Sequence, residues 1–135
     1  EGTNYSEIQK GLLVLLGIGI NEQQEDLDYL VKKISQLRIF SDEKDQMNLS
    51  VMDIDGEILL VSQFTLFAST KKGNRPGFIT AANPSEAKSW YEAFIKALEL
   101  ATQKNIKTGV FGADMKIQLI NDGPVTIFID SKLRE

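Results

Sequence analysis

Neither cysteine nor histidine occurs anywhere in this 135-residue chain. Without cysteine there is no disulfide framework, no thiolate zinc site and no cysteine nucleophile. Without histidine the usual general base and the usual transition-metal ligand are gone, and a Ser-His-Asp hydrolase cannot be assembled. Proton transfer must run through carboxylates, lysine, hydroxyls, backbone dipoles, water or a substrate. Positive charge is also short: 15 Lys+Arg stand against 19 Asp+Glu, a formal net charge of −4. Extended duplex-binding surfaces draw affinity from neutralised phosphates. The chain as a whole therefore does not read as a duplex-DNA binder, although a local basic site for the end of a nucleic acid is compatible with it. Long apolar runs are missing too. The densest, Leu12–Leu16, lies between Gly11 and Gly17 and falls far short of the ~20 residues of a bilayer-spanning helix. The chain opens on Glu1 with neither the basic start nor the small-residue cleavage site of a secretory signal. A processed or truncated start and a cytoplasmic location are the expectations.

What is present is the makeup of one globular domain, taken as residues 1–135: 42% hydrophobic and 25% charged, without repeats or linker-like composition. Gly11–Gly17 reads as a strand buried on both faces. Asn21 stands as an N-cap with Gln24 three residues on, and Leu27, Leu30, Val31, Ile34 and Leu37 recur at helical spacing, which predicts a helix over Glu22–Leu37. Arg38–Phe40 is a short strand candidate. Leu49–Asp53 and Glu57–Phe67 flank Asp55-Gly56, a hairpin signal. Ser69–Pro76 is polar and reads as a mobile loop. Asn83-Pro84-Ser85-Glu86 supplies a cap, a proline at the first position and a glutamate at the third, and opens a helix whose buried stripe is Ala87, Trp90, Tyr91, Phe94, Leu98 and Ala101. Lys107–Phe111, Asp114–Ile120 and Val125–Ile129 are expected to be strands. The class is α+β: a mostly antiparallel or mixed sheet with two main helices.

Three motifs carry chemistry. In Ser62-Gln63-Phe64-Thr65, polar side chains appear abruptly after the apolar run Ile58–Val61. In an extended strand Gln63 and Thr65 face one way, Ser62 and Phe64 the other, so a shared pocket requires a bulge; the plain alternative is strand-end side chains bonded to backbone or water. Asn121-Asp122-Gly123-Pro124-Val125-Thr126 is turn chemistry, yet Gly-Pro is also a place where a cis peptide costs only about 0.5–1 kcal/mol. Lys71-Lys72-Gly73-Asn74-Arg75 is either solvated loop charge or a phosphate contact beside a site. Trp90, Tyr91 and Phe94 read as core, whereas Phe64, Phe67 and Phe78 flank the polar motif and the basic loop. Asp53, Asp55, Asp114 and Asp122 have no spacing that makes a metal cage; no metal and no cofactor are predicted.

Taken together the motifs resemble one family, the D-aminoacyl-tRNA deacylases, also known as D-tyrosyl-tRNA deacylases. The match is carried by Lys10–Ile18, Arg38–Phe40, Met47–Ser50, Val61–Leu66, Arg75-Pro76 with Phe78, Thr108–Met115 and Asn121–Thr126. These segments follow the family's order over almost the whole chain, with the SQxT and NxGPxT signatures intact. Two departures are Gly77, where the family usually has serine, and a strand with an arginine-bearing segment that family members carry ahead of the counterpart of Glu1. The resemblance implies an editing hydrolase that cleaves the ester between a D-amino acid, or glycine, and the terminal adenosine of tRNA. It implies Ser62, Gln63, Phe64 and Thr65 as catalytic residues, and Asn121, Gly123, Pro124, Thr126 and Met115 as substrate-binding ones. It further implies a homodimer in which a cis Gly123–Pro124 motif enters the partner's pocket and excludes L side chains, with the tRNA 2′-hydroxyl assisting the attack and Thr65 as the rival nucleophile.

Three other readings compete, and one of them, a generic ligand-binding domain, leaves the co-occurrence of the motifs unexplained. A related deacylase that removes L-alanine from mismatched tRNA carries proline where Ser62 stands. An inactive nucleic-acid-binding relative would leave both intact signatures without a purpose, and the acidic charge balance weighs against broad DNA binding.

Overall fold

The computed structural model describes residues 5–134. In chain order its elements are β1 (Gly11–Leu16), α1 (Gln24–Gln36), β2 (Phe40–Ser41), β3 (Met47–Leu49), β4 (Glu57–Ser62), a 3₁₀ turn (Phe64–Phe67), α2 (Pro84–Thr102) and β5 (Lys107–Thr108). The apolar runs of β1 and β4 lie side by side in parallel, in register from Gly11 opposite Glu57 to Leu16 opposite Ser62. β5 adds to the other edge of β4, also parallel, giving the order β1-β4-β5. The two strands begin close together: a Cβ on Gly11 would run into the carbonyl oxygen of Glu57, so only glycine fits there.

Period-two alternation then sorts the sheet's side chains. Leu12, Val14 and Leu16 of β1 and Ile58 and Leu60 of β4 meet Leu27 and Val31 of α1 and Tyr91, Phe94 and Leu98 of α2 in one core. Leu60 and Leu98 are wholly buried, each contributing about 1.5–3 kcal/mol of apolar burial. The buried Tyr91 hydroxyl donates to the Leu60 carbonyl at 3.0 Å and ties α2 to the central strand; burial pushes its pKa up, so it stays a neutral donor. The alternate residues Leu13, Leu15 and Leu59 face the opposite side of the sheet, where Leu15 is exposed.

The α2 start is as its sequence predicts: the Asn83 side chain accepts from the Glu86 N–H at 2.9 Å, with Pro84 at the first position. Elsewhere the structure corrects the expectations. Helix α1 is capped by Gln23, not Asn21; the Gln23 N–H donates to Asp26 Oδ2 at 2.9 Å, while Asn21 turns left-handed at φ 60°. Asp55-Gly56 makes no hairpin. Val51–Asp55 is a turn closed by Gly56 N–H to the Val51 carbonyl, Asp55 takes φ 55°, and β4 leaves to join β1. The first short strand is Phe40–Ser41 rather than Arg38–Phe40, and it pairs antiparallel with Met47–Leu49. The expected strand to Phe67 stops at Ser62. Of the three C-terminal strands only Lys107–Thr108 forms; residues 114–130 lie outside any ladder, because an alternating segment without a partner strand has nowhere to place its backbone hydrogen bonds. Parallel three-stranded and antiparallel two-stranded sheets with two helices keep the class α+β.

The C-terminal end is fastened electrostatically. Lys132 Nζ lies 2.6 Å from Oδ2 of the buried Asp26 and 3.6 Å from Glu22. Burial alone would raise the Asp26 pKa, but the hydrogen bonds from Lys132, the Gln23 N–H and Ser131 outweigh it and lower the pKa overall; the hydrogen bond to Asp26 raises that of Lys132. A depressed carboxyl stabilises the fold above the usual carboxylate range and loses that contribution as pH falls through its folded value. The raised lysine contributes below the usual lysine range and loses it at the alkaline end. Asp26→Asn is therefore expected to cost about 1–3 kcal/mol at neutral pH. The difference from the parent chain should shrink toward zero as acid protonates the carboxylate, as read from urea midpoints across an acid series.

Candidate active site

The C-terminal end of β4 is built into a shelf. The Gln63 N–H makes the last strand bond, to the Leu16 carbonyl at 2.8 Å, and the chain then winds into the 3₁₀ turn. Two glycines allow it. A Cβ on Gly17 would stand 3.0 Å from Cε2 of Phe67, and one on Gly19 would stand 2.8 Å from Cε1 of the same ring, so the Phe67 ring lies directly on bare backbone. The segment is held further by Ala82 N–H to the Ile18 carbonyl at 2.9 Å and Ile20 N–H to the Thr80 carbonyl at 3.0 Å.

This turn supplies the bend that an extended strand lacks. Ser62 and Gln63 are half-buried, Thr65 is exposed, and the Gln63 side-chain amide donates to Thr65 Oγ1. Phe64 stands 58% exposed beside Phe78, ring centroids 4.9 Å apart and edge-to-face. The turn's own hydrogen bonds use the N–H groups of Leu66 and Ala68. Those of Phe64 and Thr65 begin the turn, where helical geometry offers no intrahelical acceptor. Chemically, the shelf is a set of hydroxyl, amide and backbone donors with no side chain basic enough to act as general base.

Met115 reaches the same end of the sheet. Its Sδ lies 2.5 Å from where a Gly109 Cβ would be, with Val61 Cγ2 3.7 Å from the same point. The other signature is closed by its own hydrogen bonds. Asn121 pins its own loop twice: Oδ1 accepts from Val125 N–H at 3.0 Å, and Nδ2 donates to Thr126 Oγ1 at 2.9 Å. This explains why the pattern needs asparagine and threonine five residues apart. The Gly123–Pro124 peptide is cis and Gly123 takes φ 137°. Asn121–Pro124 are all exposed, and both Asn121 bonds stay inside the loop. Within one chain, then, the structure brings together Ser62, Gln63, Phe64 and Thr65, sets Met115 at the same sheet end, and holds Asn121, Gly123, Pro124 and Thr126 in an exposed loop fixed by its own hydrogen bonds.

Gly19 as the seat of Phe67 went unread in the sequence; its one signal was the glycine alternation Gly17-Ile18-Gly19 directly after a strand. Among the described residues no group of three or more Asp and Glu is placed to hold a metal ion. A cavity of about 30 Å³ lies beyond β1, lined by Leu16, Asp26, Leu27, Trp90, Phe94 and Ser131 among others, and includes none of the predicted site residues.

Comparison with known proteins gives this geometry its relatives. The family model for D-Tyr-tRNA(Tyr) deacylase matches residues 1–130. A D-aminoacyl-tRNA deacylase of Flavobacterium johnsoniae is 61% identical over 135 residues, covering 100% of this chain and 90% of the relative. One from Cytophaga hutchinsonii is 59% identical over 131 residues, 97% of this chain and 87% of the relative. Among solved structures, a c-Myc DNA unwinding element binding protein superposes with a TM-score of 0.87 at 43% identity, covering 93% of this chain and 85% of that one. A probable eukaryotic D-amino acid tRNA deacylase shares the fold, with a TM-score of 0.62 at 18% identity over 76% of this chain and 60% of that one. A family match over nearly the whole chain and two full-length relatives near 60% identity lead to one conclusion: the chain belongs to the D-Tyr-tRNA(Tyr) deacylase family and is a hydrolase.

Proposed function

We propose that this chain, as one domain, hydrolyses the ester joining a D-amino acid to the terminal adenosine of tRNA, releasing free D-amino acid and reusable tRNA, and that it also cleaves glycyl-tRNA. The observation that carries the reading is the shelf at Ser62–Thr65, made of donors rather than bases. Aminoacyl esters are already activated, so orienting the carbonyl and stabilising its developing negative charge is the main task. The N–H groups of Phe64 and Thr65 serve as oxyanion donors, with Ser62 and Gln63 orienting the ester. Water attacks the ester carbonyl, the acyl–3′-oxygen bond breaks, and the 2′-hydroxyl of the same adenosine relays the water's proton to the departing 3′-oxygen. Thr65 positions substrate; its hydroxyl is partnered by the Gln63 amide, and either end of an amide is far too weak a base to activate it.

Chirality enters through the Asn121–Thr126 loop of a second copy. In the assembled site the carbonyls of Gly123 and Pro124 face the substrate's α-amino end, and an L side chain is driven into the loop, so selection works by built-in repulsion. Glycine, lacking a side chain, escapes it. Met115 lines the same pocket. Support for the second copy comes from the apolar surface one chain leaves in water: Leu119 is 55% exposed, Ile120 92%, Ile127 52% and Phe128 76%, on a segment whose alternation is that of a strand. A two-fold partner completes the ladder, covers those of these side chains that share the paired face, and lends its loop in return. The reaction uses neither metal nor cofactor, and a cytoplasmic tRNA-charging environment is where it acts; among the described residues no helix is long and apolar enough to cross a membrane.

The test is direct. Purified protein at catalytic concentration is expected to release amino acid from D-tyrosyl-tRNA over many turnovers, and from glycyl-tRNA as well. Release no faster than spontaneous hydrolysis would contradict the proposal.

A further inference from the structure

Loop 69–77 is the motif that the hydrolytic site does not absorb. Its ends are tied by reciprocal bonds between Ser69 and Gly77, at 2.8 and 2.9 Å, and the next residue, Phe78, is the one packed on Phe64. The loop is thus rooted on the wall of the shelf, and its tip, four residues from either end, lies within roughly 14 Å of that root. Residues 71–77 are all exposed. Lys71, Lys72 and Arg75 place three positive charges there, and no acidic residue occurs between Glu57 and Glu86. The ion pairs among the described residues involve Lys104 and Lys132, not these three side chains. On a chain of net charge −4 overall charge does not attract a polyanion, so a cationic loop beside the site favours its arrival there.

We infer that Lys71, Lys72 and Arg75 bind the backbone phosphates immediately 5′ of the aminoacylated adenosine, so that loop 69–77 places the RNA end on the shelf. The inference rests on the hydrolytic reading above and adds a residue-level partner: RNA phosphate, contacted without base recognition. A merely solvated loop would leave the dependence on those phosphates untouched.

The experiment compares the parent chain with the triple variant K71Q/K72Q/R75Q on two substrates, D-tyrosyl-tRNA and the D-tyrosyl ester of free adenosine, which has no phosphate. The expected result is that kcat/KM for the tRNA relative to the nucleoside ester falls about tenfold or more, mainly through KM. The slope of log kcat/KM against log salt should flatten by roughly 2, since each neutralised single-strand phosphate contributes ~0.7; the charge-conserving K71R/K72R/R75K should restore that slope. An unchanged ratio and slope, or an equal loss on both substrates, would overturn the inference, the latter assigning the loop to shaping Phe78 and the shelf. A parent chain inactive on both substrates would bring down the hydrolytic reading along with it. A parent chain that cleaves both with equal kcat/KM would remove only the phosphate contact.

Discussion

Removing the 2′-hydroxyl from the terminal adenosine of D-tyrosyl-tRNA is expected to slow deacylation by about a hundredfold or more, whereas Thr65→Ala is expected to cost about tenfold or less. Both follow from the composition of the shelf. A chain without histidine or cysteine has to find its proton acceptor elsewhere, and Ser62–Thr65 offers hydroxyls, an amide and backbone N–H groups only. The substrate's own hydroxyl lies next to the ester carbonyl, so it is already within reach and needs no binding entropy to bring it there. Thr65 accepts a hydrogen bond from Gln63; on the proposed mechanism, losing its hydroxyl removes an orienting contact rather than the attacking group. Single-turnover rates with 3′-linked substrate on ordinary and 2′-deoxy terminal adenosine separate the two roles. A dead Thr65→Ala together with a fully active deoxy substrate would instead make Thr65 the nucleophile.

The second large effect is complementation between two inactive chains. Phe64→Pro deletes one of the two N–H groups proposed as oxyanion donors, at the first position of the turn, where proline is tolerated; such a donor is worth about 10²–10³ in rate. Gly123→Ala strikes the other motif. Gly123 sits at φ 137° and a Cβ there would stand 2.8 Å from Val125 Cγ2, so the loop must move. With the loop displaced, the Gly123 and Pro124 carbonyls no longer hold the substrate's α-amino group on the proposed geometry, so each variant alone should have lost nearly all activity. If the loop of one copy completes the shelf of the other, a mixed dimer holds one fully intact site and one doubly damaged one. Random pairing makes about half the dimers mixed, so co-expressed chains should recover roughly a quarter of parental activity. Verified mixed dimers with no recovery would show that each site is built within one chain.

How much of this was legible in the sequence depended on how local the cause was. Asn83, Pro84 and Glu86 declare the start of α2 within four residues, and the start stands where they put it. Asp55-Gly56 carries equally local turn chemistry, and a turn is there; what four residues cannot state is the partner of the next strand, and β4 pairs with β1 rather than β3. The alternation in Asp114–Ile120 and Val125–Ile129 likewise specifies an extended backbone but not whose backbone it pairs with. At the candidate site the residue types were readable, while their convergence was not. The bend after Ser62 depends on Phe67 resting on Gly17 and Gly19, about fifty residues upstream, and no pattern within Ser62–Thr65 encodes it. The Lys132–Asp26 tie escaped for the same reason: its partners lie at opposite ends of the chain.

The most direct measurement is the ratio of deacylation rates for D-tyrosyl-tRNA and L-tyrosyl-tRNA, taken with the same tRNA preparation and the same enzyme concentration. On the proposed geometry the two substrates differ only in which substituent of the α-carbon meets the Gly123–Pro124 carbonyls. If the loop rejects by steric repulsion, the D substrate should be cleaved at least about a hundredfold faster, equivalent to roughly 2.7 kcal/mol between the two transition states, with glycyl-tRNA cleaved alongside it. Equal rates for the two enantiomers would contradict the proposal, since they would mean that the Asn121–Thr126 loop does not meet the side chain at all.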